Sequence, residues 1–151
     1  MRCSESSRRS PIYPTTQSDV EITFLTRPPL PDTQLNALFT AAWPDHVTRA
    51  FGPVLERSLA WIAAFEGERL VGFVNVAWDG GEHAFLLDPT VHPDVRHRGI
   101  GSALVRAATA AAKEARAAWL HVDYEPHLAP FYRALGFRHT EAGLIHLATS
   151  A

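Results

Sequence analysis

TVHPDVRHRGIGSAL, residues 90–104, joins a β-rich region of the chain to its longest predicted helix. The first turn of a helix has unpaired amide N–H groups, and the helix dipole places partial positive charge there. Gly99 and Gly101 lack Cβ atoms, so an anion can approach the main chain closely. Arg96 and Arg98 add positive charge at the same point. The stretch predicts a pocket for an anion the size of a diphosphate; the simpler alternative is a loop that only turns the chain.

Other binding motifs are absent from the sequence. No G-x-x-x-x-G-K-[ST] run occurs, and a G-x-G-x-x-G fingerprint fails because Leu104 stands where its last glycine would be. Cys3 is the only cysteine, which excludes an internal disulfide and a cysteine-rich zinc site. The eight histidines lack close zinc-ligand spacing, which leaves only His121, Asp123 and His127 as an alternative metal set. We expect no metal cofactor.

The composition indicates a soluble globular protein. The 151 residues are 46% hydrophobic and 20% charged, which suits one domain with a sizeable core. Fourteen basic and sixteen acidic residues give a formal charge of −2, which argues against a nucleic-acid-binding surface. No apolar run approaches the roughly 20 residues that a membrane span needs. We therefore expect a cytoplasmic protein with neither a nucleic-acid nor a membrane partner.

The first half of the chain predicts a tail, two helices and a hairpin. Residues 1–18 are rich in Ser, Thr, Pro and Arg, so they predict a mobile tail, and the folded domain is expected over 19–151. Asp32 is the predicted N-cap of the first helix. The other elements expected here are a strand over 21–26, a second helix over about 45–57, and hairpin strands over 59–65 and 70–78.

The second half predicts alternating strands and helices. A strand is expected over 83–91, with a bulge at Pro89 because proline cannot donate a ladder hydrogen bond. An alanine-rich helix over 101–118 would be roughly 27 Å long. The remaining elements expected are a strand over 119–124, a short helix over 130–135 and two short strands around Ala142–Gly143. This order predicts a mixed α/β fold with a partly antiparallel sheet.

Two blocks of the sequence resemble the GNAT superfamily of N-acetyltransferases. Arg96, Gly99 and Gly101 match the family's acetyl-coenzyme A (acetyl-CoA) loop, Q/R-x-x-G-x-G/A, and residues 91–94 look like the V-x-P-x end of its fourth strand. FYRALGF, residues 131–137, resembles the family's L/F-Y-x-x-x-G-F block. The resemblance covers about residues 21–147. It implies a GNAT-like α/β fold in which a mixed, largely antiparallel central sheet is flanked by helices in a single domain.

The resemblance implies an acetyl-CoA-dependent N-acyltransferase that transfers an acetyl group to a primary amine by direct attack. Main-chain amides of the loop would hold the CoA pyrophosphate, and the pantetheine arm would pair with an exposed strand edge. The residues implied to bind the cofactor are Thr90, Val91, Arg96, His97, Arg98, Gly99, Ile100, Gly101 and Ser102.

The resemblance also implies catalytic residues. Tyr132 matches the family's tyrosine that protonates the departing thiolate, and its alternative role is a core aromatic packed beside its neighbours. The acceptor amine must lose a proton, so a base or a water chain is needed. His121 takes the place of the family's strand-five carboxylate, while Asp123 and Asp88 are further candidates. Each of these three has a purely structural alternative.

The acceptor is left open by the sequence. A small-molecule amine and a peptide amine both fit, and acidic Asp123 and Glu125 favour a cationic one. Trp43 or Trp78 is expected to line its pocket, since both stand at the ends of elements. The family often forms dimers, so the resemblance allows a homodimer. The alternative functions are a non-catalytic acyl-CoA-binding module and a protein-interaction domain on the same fold.

Overall fold

The centre of the molecule is a five-stranded sheet whose strands lie side by side in chain order. A computed structural model describes residues 20–148, so the predicted tail over 1–18 lies outside the described residues. The strands are β1 (Ile22–Thr26), β2 (Ala60–Glu66), β3 (Arg69–Trp78), β4 (His83–Val91) and β5 (Trp119–Val122). Strands β1 to β4 pair antiparallel, and β5 pairs with β4 in parallel. The predicted mixed, largely antiparallel sheet is confirmed.

Helices cover both faces of this sheet. They are α1 (Asp32–Ala42), α2 (Gly52–Arg57), α3 (Ile100–Glu114) and α4 (Ala129–Ala134), with single 3-10 turns at Pro93–Val95 and Pro126–Leu128. Because strand side chains alternate between faces, the sheet buries two separate apolar sets. The core on the α3 face includes Val74, Val76, Ala84, Leu86 and Leu104, and the core on the α1–α2 face includes Leu35, Leu38, Phe39, Phe51 and Phe73.

The segment between α1 and α2 differs from the prediction. The predicted helix over 45–57 is confirmed only from Gly52 onward. Asp32 is not an N-cap, because Pro31 takes that place and the Asp32 carboxylate accepts a hydrogen bond from the Phe51 amide at 2.9 Å. The Asn36 side-chain oxygen accepts another from the Arg49 amide at 3.0 Å. Side chains of α1 thus bind main-chain groups that a longer helix would need for itself.

Helix α3 is shorter than predicted. It ends at Glu114 rather than 118, so its 15 residues span about 22 Å. Arg116 adopts a left-handed conformation with φ of 64°, and the Ala117 amide donates to the Ala112 carbonyl at 3.1 Å. This is the hydrogen bond of a Schellman-type helix end. The alanine-rich sequence has no glycine or proline at this point, so composition alone gave no reason to end the helix there.

The prediction of two strands around Ala142–Gly143 is wrong. Among the described residues, 138–148 have no regular secondary structure and donate no main-chain hydrogen bond to the sheet. Leu144, Ile145 and Leu147 are between 83% and 86% exposed. Strand-forming side chains produce a strand only where a ladder partner is available, and the main chain of 138–148 has no ladder partner among the described residues.

No helix within residues 20–148 combines the length and the apolar character needed to cross a membrane.

The prediction of a short helix before Gly136 is confirmed by α4, and Gly136 has a φ of 94° that suits the residue after a helix end.

One buried polar atom in the core leads to a prediction about the free energy of unfolding. Asn75 of β3 is 2% exposed, and its Oδ1 has no hydrogen-bond partner in the described residues. An unpaired buried acceptor costs about 1–3 kcal/mol. We expect Asn75→Leu, which keeps the branched shape of the side chain and removes its polar groups, to raise the free energy of unfolding by up to about that amount in chemical denaturation. Asn75→Asp is the matched variant and should lower it, while a loss of stability in the leucine variant would contradict the assignment.

Candidate functional site

The site begins where β4 and β5 separate. The two strands pair only from His83–Leu86 to Trp119–Val122, although β4 continues to Val91. From Leu87 onward, the edge of β4 that faces β5 carries no ladder hydrogen bond. The prediction that β5 extends to residue 124 is wrong. The strand ends at Val122, where its pairing with Leu86 of β4 also ends. The main chain near Thr90 and Val91, predicted to pair with a pantetheine arm, therefore has no strand partner on this side among the described residues.

A bulge in β4 produces this separation. Asn75 pairs with Leu87 and Phe73 with Thr90, so two residues of β4, Asp88 and Pro89, stand opposite one residue of β3. The bulge expected at Pro89 is confirmed. Asp88 has a φ of 53°, a conformation that costs a residue with a side chain about 1–3 kcal/mol. Such strain is concentrated at functional sites.

The start of α3 faces the gap with free main-chain donors. Gly99 is the N-cap with a φ of 75°, and no side chain caps the helix. The first main-chain bond of the helix is donated by the Ala103 amide to the Gly99 carbonyl at 3.1 Å. The amides of Ile100, Gly101 and Ser102 therefore have no partner among the described residues. An added Cβ at Gly99 would meet nothing within 4 Å, so the space beside its α-carbon is open.

The positive charges of the loop have different surroundings. Arg98 forms an ion pair with Glu66 at 3.2 Å, which offsets part of its charge. Arg96 is exposed, and no ion pair joins it to another residue of the 20–148 segment. His97 is exposed with a φ of 63°. Ile100 contributes only its amide, because its side chain is 3% exposed and lies in the core.

The turn before the loop is anchored to β3. The Arg69 guanidinium lies 3.1 Å from the Asp94 carboxylate and 3.2 Å from His92 Nδ1. The Asp94 amide also donates to His92 Nδ1, which fixes the turn that enters the loop. These contacts connect the turn that leads into α3 to the start of β3.

Tyr132 on α4 is both a core residue and a polar one. Its ring is 3% exposed, stacks on Tyr124 at 4.7 Å and meets Phe131 and Phe137 edge-on. Burial, and secondarily the neighbouring Tyr124, raises the pKa of the Tyr132 phenol. The group is therefore neutral, and able to donate a proton, throughout the neutral range. Phe131 beside it lies 3.6 Å from where a Cβ on Gly101 would be, which connects α4 to the start of α3.

The Tyr132 hydroxyl is not sealed inside the core without a partner. Among the described residues, Asn75 Oδ1 is the one side-chain polar atom that is fully buried and unpaired. The Tyr132 hydroxyl is therefore not a fully buried, unpaired group.

The three candidate bases are spread along the sheet rather than gathered. His121 is exposed on the α1–α2 face, with its Nε2 at 2.9 Å from His83 Nδ1 and its ring stacked on Phe85 at 4.6 Å. Its partner across the ladder is Phe85, which places it three residues, or about 10 Å, from Asp88 along β4. Asp123 is exposed just after the end of β5. Only Asp88 lies at the bulge itself.

Trp43 completes the site from the α1 side. Its Nε1 donates to Thr90 Oγ1 at 3.1 Å, and Thr90 Oγ1 donates in turn to the Asp88 carbonyl at 2.9 Å. The Thr90 hydroxyl is thus already hydrogen-bonded to Trp43 and to the bulge, so only the main chain of Thr90 is available to a ligand. Trp78 pairs with Ala84, a residue of the α3 core, so it lies on the opposite face. Of the two tryptophans expected at an acceptor pocket, only Trp43 is near the site.

Arg49 is a functional candidate that the sequence reasoning missed. Its guanidinium lies 3.7 Å from the Asp88 carboxylate and 4.7 Å from the centre of the Phe51 ring. The residue stands in a segment predicted to be helical, and nothing in the local sequence connects it to β4.

Within residues 20–148, no group of three or more His, Cys, Asp or Glu side chains is arranged to hold a metal ion.

Comparison with known proteins decides the family. The model of the acetyltransferase (GNAT) family matches residues 30–137, which include the bulge, the loop, α3 and Tyr132. The chain belongs to the GNAT acetyltransferase family. The resemblance seen in the two sequence blocks is therefore confirmed.

Individual GNAT relatives agree in sequence and in fold. The mycothiol acetyltransferase of Mycolicibacterium vanbaalenii is 37% identical over 82 residues, which are 54% of this chain and 26% of that protein. This chain thus spans about a quarter of the length of that relative. The GNAT family protein SP0256 from Streptococcus pneumoniae is 25% identical, with a TM-score of 0.71 over 84% of this chain and 99% of the other.

A third GNAT structure contains a ligand. The aminoglycoside N-acetyltransferase AAC(6')-Iy, solved in complex with CoA, is 20% identical, with a TM-score of 0.67 over 83% of this chain and 93% of the other. At that level of identity the likeness is one of fold. The five-stranded mixed sheet with flanking helices is the architecture that these structures share.

Proposed function

We propose that residues 19–151 form an acetyl-CoA-dependent N-acetyltransferase that moves an acetyl group from the thioester to a primary amine. The observation that carries the proposal is the open start of α3. The Ile100, Gly101 and Ser102 amides have no partner within residues 20–148 and lie beside the separated end of β4. Free amides at a helix start bind phosphate groups through hydrogen bonds and the helix dipole.

Acetyl-CoA fits the gap as a linear ligand with two kinds of contact. The pyrophosphate would receive hydrogen bonds from the amides of Gly99 to Ser102, with Arg96 as the nearby cation. The pantetheine arm would pair with the free edge of β4 at Thr90 and Val91, as an added strand does. CoA in the related AAC(6')-Iy structure supports this choice of ligand. The thioester would then lie between the bulge and Tyr132.

The reaction would proceed by direct attack. The amine nitrogen forms a bond to the thioester carbonyl carbon, and the carbon–sulfur bond breaks as the tetrahedral intermediate collapses. A main-chain N–H on the open β4 edge would stabilise the oxyanion. The amine proton passes to a base, while the Tyr132 phenol gives its proton to the sulfur and regains one from water. A neutral phenol suits this role, and burial of Tyr132 keeps it neutral.

For the base, Asp88 and His121 are both proposed, through different routes. Asp88 lies at the bulge, so an acceptor ammonium beside the thioester could contact it directly. His121 is about 10 Å farther along the sheet, so it would accept the proton through a chain of water molecules. Most of the rate enhancement would come from positioning, because the amine and the thioester would be held together in one gap.

A free-thiol release assay with acetyl-CoA and a panel of amines tests this function. Turnover with at least one amine, together with heat of CoA binding in calorimetry, is the expected result. CoA binding without turnover across the panel would favour the non-catalytic acyl-CoA-binding module. A folded protein that neither binds CoA nor releases thiol would contradict the assignment of the α3 start and favour the protein-interaction domain.

A further inference from the structure

Arg49 and Asp88 form a half-exposed pair of opposite charges at the bulge. Their side chains are 49% and 45% exposed, and the nearest nitrogen and oxygen are 3.7 Å apart. That distance is too long for a hydrogen bond, so the hydrogen-bonding capacity of each group toward the other is unused. Exposed ion pairs of this kind contribute little to stability. Both groups are therefore available to a ligand at modest cost.

Arg49 is held in place by a set of contacts that do not involve Asp88. The Arg49 amide donates to Asn36 Oδ1 at 3.0 Å, and Asn36 Nδ2 donates back to the Arg49 carbonyl at 2.8 Å. The guanidinium lies over the rings of Phe51 and Phe39, at 4.7 and 5.9 Å from their centres. A guanidinium supported on aromatic faces presents its edge to a planar carboxylate, which it binds through two parallel hydrogen bonds.

The sheet surface next to this pair exposes two apolar side chains. Phe85 and Leu87 of β4 lie on the α1–α2 face and are 41% and 43% exposed, although the His121 ring stacks on Phe85. Leu87 directly precedes Asp88 in the chain. An apolar group bound beside the charged pair would therefore bury these side chains.

We propose that the acceptor is an α-amino acid with an apolar side chain, or a compound with the same zwitterionic end; this rests on the proposed function. Its ammonium group would lie against Asp88 and its carboxylate against Arg49, with the apolar side chain on Phe85 and Leu87. One carbon separates ammonium and carboxylate in such an acceptor, so it can insert between the two charges as their exposed side chains rotate apart. An acceptor with several ammonium groups would instead be repelled by Arg49.

The test compares three amines that share one apolar group: L-phenylalanine, L-phenylalaninamide and phenethylamine. Thiol release is measured for each with the wild-type protein, with Arg49→Met and Arg49→Lys, and with Arg106→Met as the matched control on the exposed side of α3. Charge-assisted hydrogen bonds of this kind change kcat/KM by about 10- to 100-fold. We expect wild type to prefer L-phenylalanine by that factor over the other two amines.

The variants separate recognition of the carboxylate from activity. Arg49→Met should remove the preference for L-phenylalanine over the other two amines, and Arg49→Lys should retain part of it. Arg106→Met should behave as wild type with all three amines. Equal kcat/KM for the three amines in the wild-type protein would overturn the proposal while the acetyltransferase function stands. If no amine is turned over and CoA does not bind, the proposed function fails first.

Discussion

Gly99→Glu is expected to abolish CoA binding in a protein that still folds. Gly99 has a φ of 75°, and the space around its α-carbon is open, so a glutamate side chain enters the region where the pyrophosphate would lie. Its carboxylate would accept hydrogen bonds from the α3 amides and repel a diphosphate. Loss of two or more charge-assisted hydrogen bonds weakens binding by about 10²- to 10⁴-fold. Calorimetric titration with CoA should show no heat.

Gly80→Glu is the matched control for this variant. Gly80 also has a positive φ, of 80°, and an added Cβ there would also meet nothing within 4 Å. It lies in the turn between β3 and β4, at the opposite end of β4 from the loop. The backbone cost and the added charge are the same, so CoA should bind to this variant as to wild type. Wild-type affinity in folded Gly99→Glu would contradict the role of the α3 start.

Tyr132→Phe is expected to lower kcat by about 100-fold or more, the usual contribution of a general acid. The phenylalanine ring keeps the stacking on Tyr124 and the edge contacts with Phe131 and Phe137, so the fold and the CoA affinity should change little. Steady-state thiol release and CoA calorimetry on the same samples measure the two effects separately. Unchanged kcat would contradict the role as acid.

Tyr124→Phe is the control, because it removes a hydroxyl from the ring stacked on Tyr132 and leaves the proposed acid intact. Its kcat should remain near that of wild type.

The pH dependence of kcat and of the free energy of unfolding gives an independent test of the Tyr132 phenol. Burial raises the pKa of Tyr132 above the ordinary value of 10.0, so ionisation of this phenol should not reduce kcat in the neutral pH range. The phenol of residue 132 loses its proton at a lower pH in the unfolded chain than in the folded protein, where burial favours the neutral form. The free energy of unfolding should therefore fall as the pH rises above 10.

Local signals in the sequence were sufficient for much of the fold. Proline cannot donate a ladder hydrogen bond, so Pro89 predicted the bulge that separates β4 from β5. The glycines near the start of α3 predicted an open helix start, and Gly99 does adopt a left-handed conformation there. These features depend on the residue itself and its immediate neighbours, which is why a single sequence reveals them.

The failures depended on contacts between distant segments. The loop before α2 is not helical because Asp32 and Asn36 of α1 bind its main chain. Residues 138–148 form no strand because their main chain has no ladder partner among the described residues. Arg49 acquires its significance from Asp88, which is 39 positions away in the sequence and comes close only through the bulge. No local pattern contains that information.

The most direct test of the central claim is an amide NMR titration of the isotope-labelled protein with CoA and, separately, with pantetheine, which lacks the pyrophosphate. If the α3 start binds the diphosphate, the amide signals of Gly99, Ile100, Gly101 and Ser102 shift with CoA and stay in place with pantetheine. If CoA binds and these four signals do not move, the pyrophosphate lies elsewhere, and the assignment of the site is wrong.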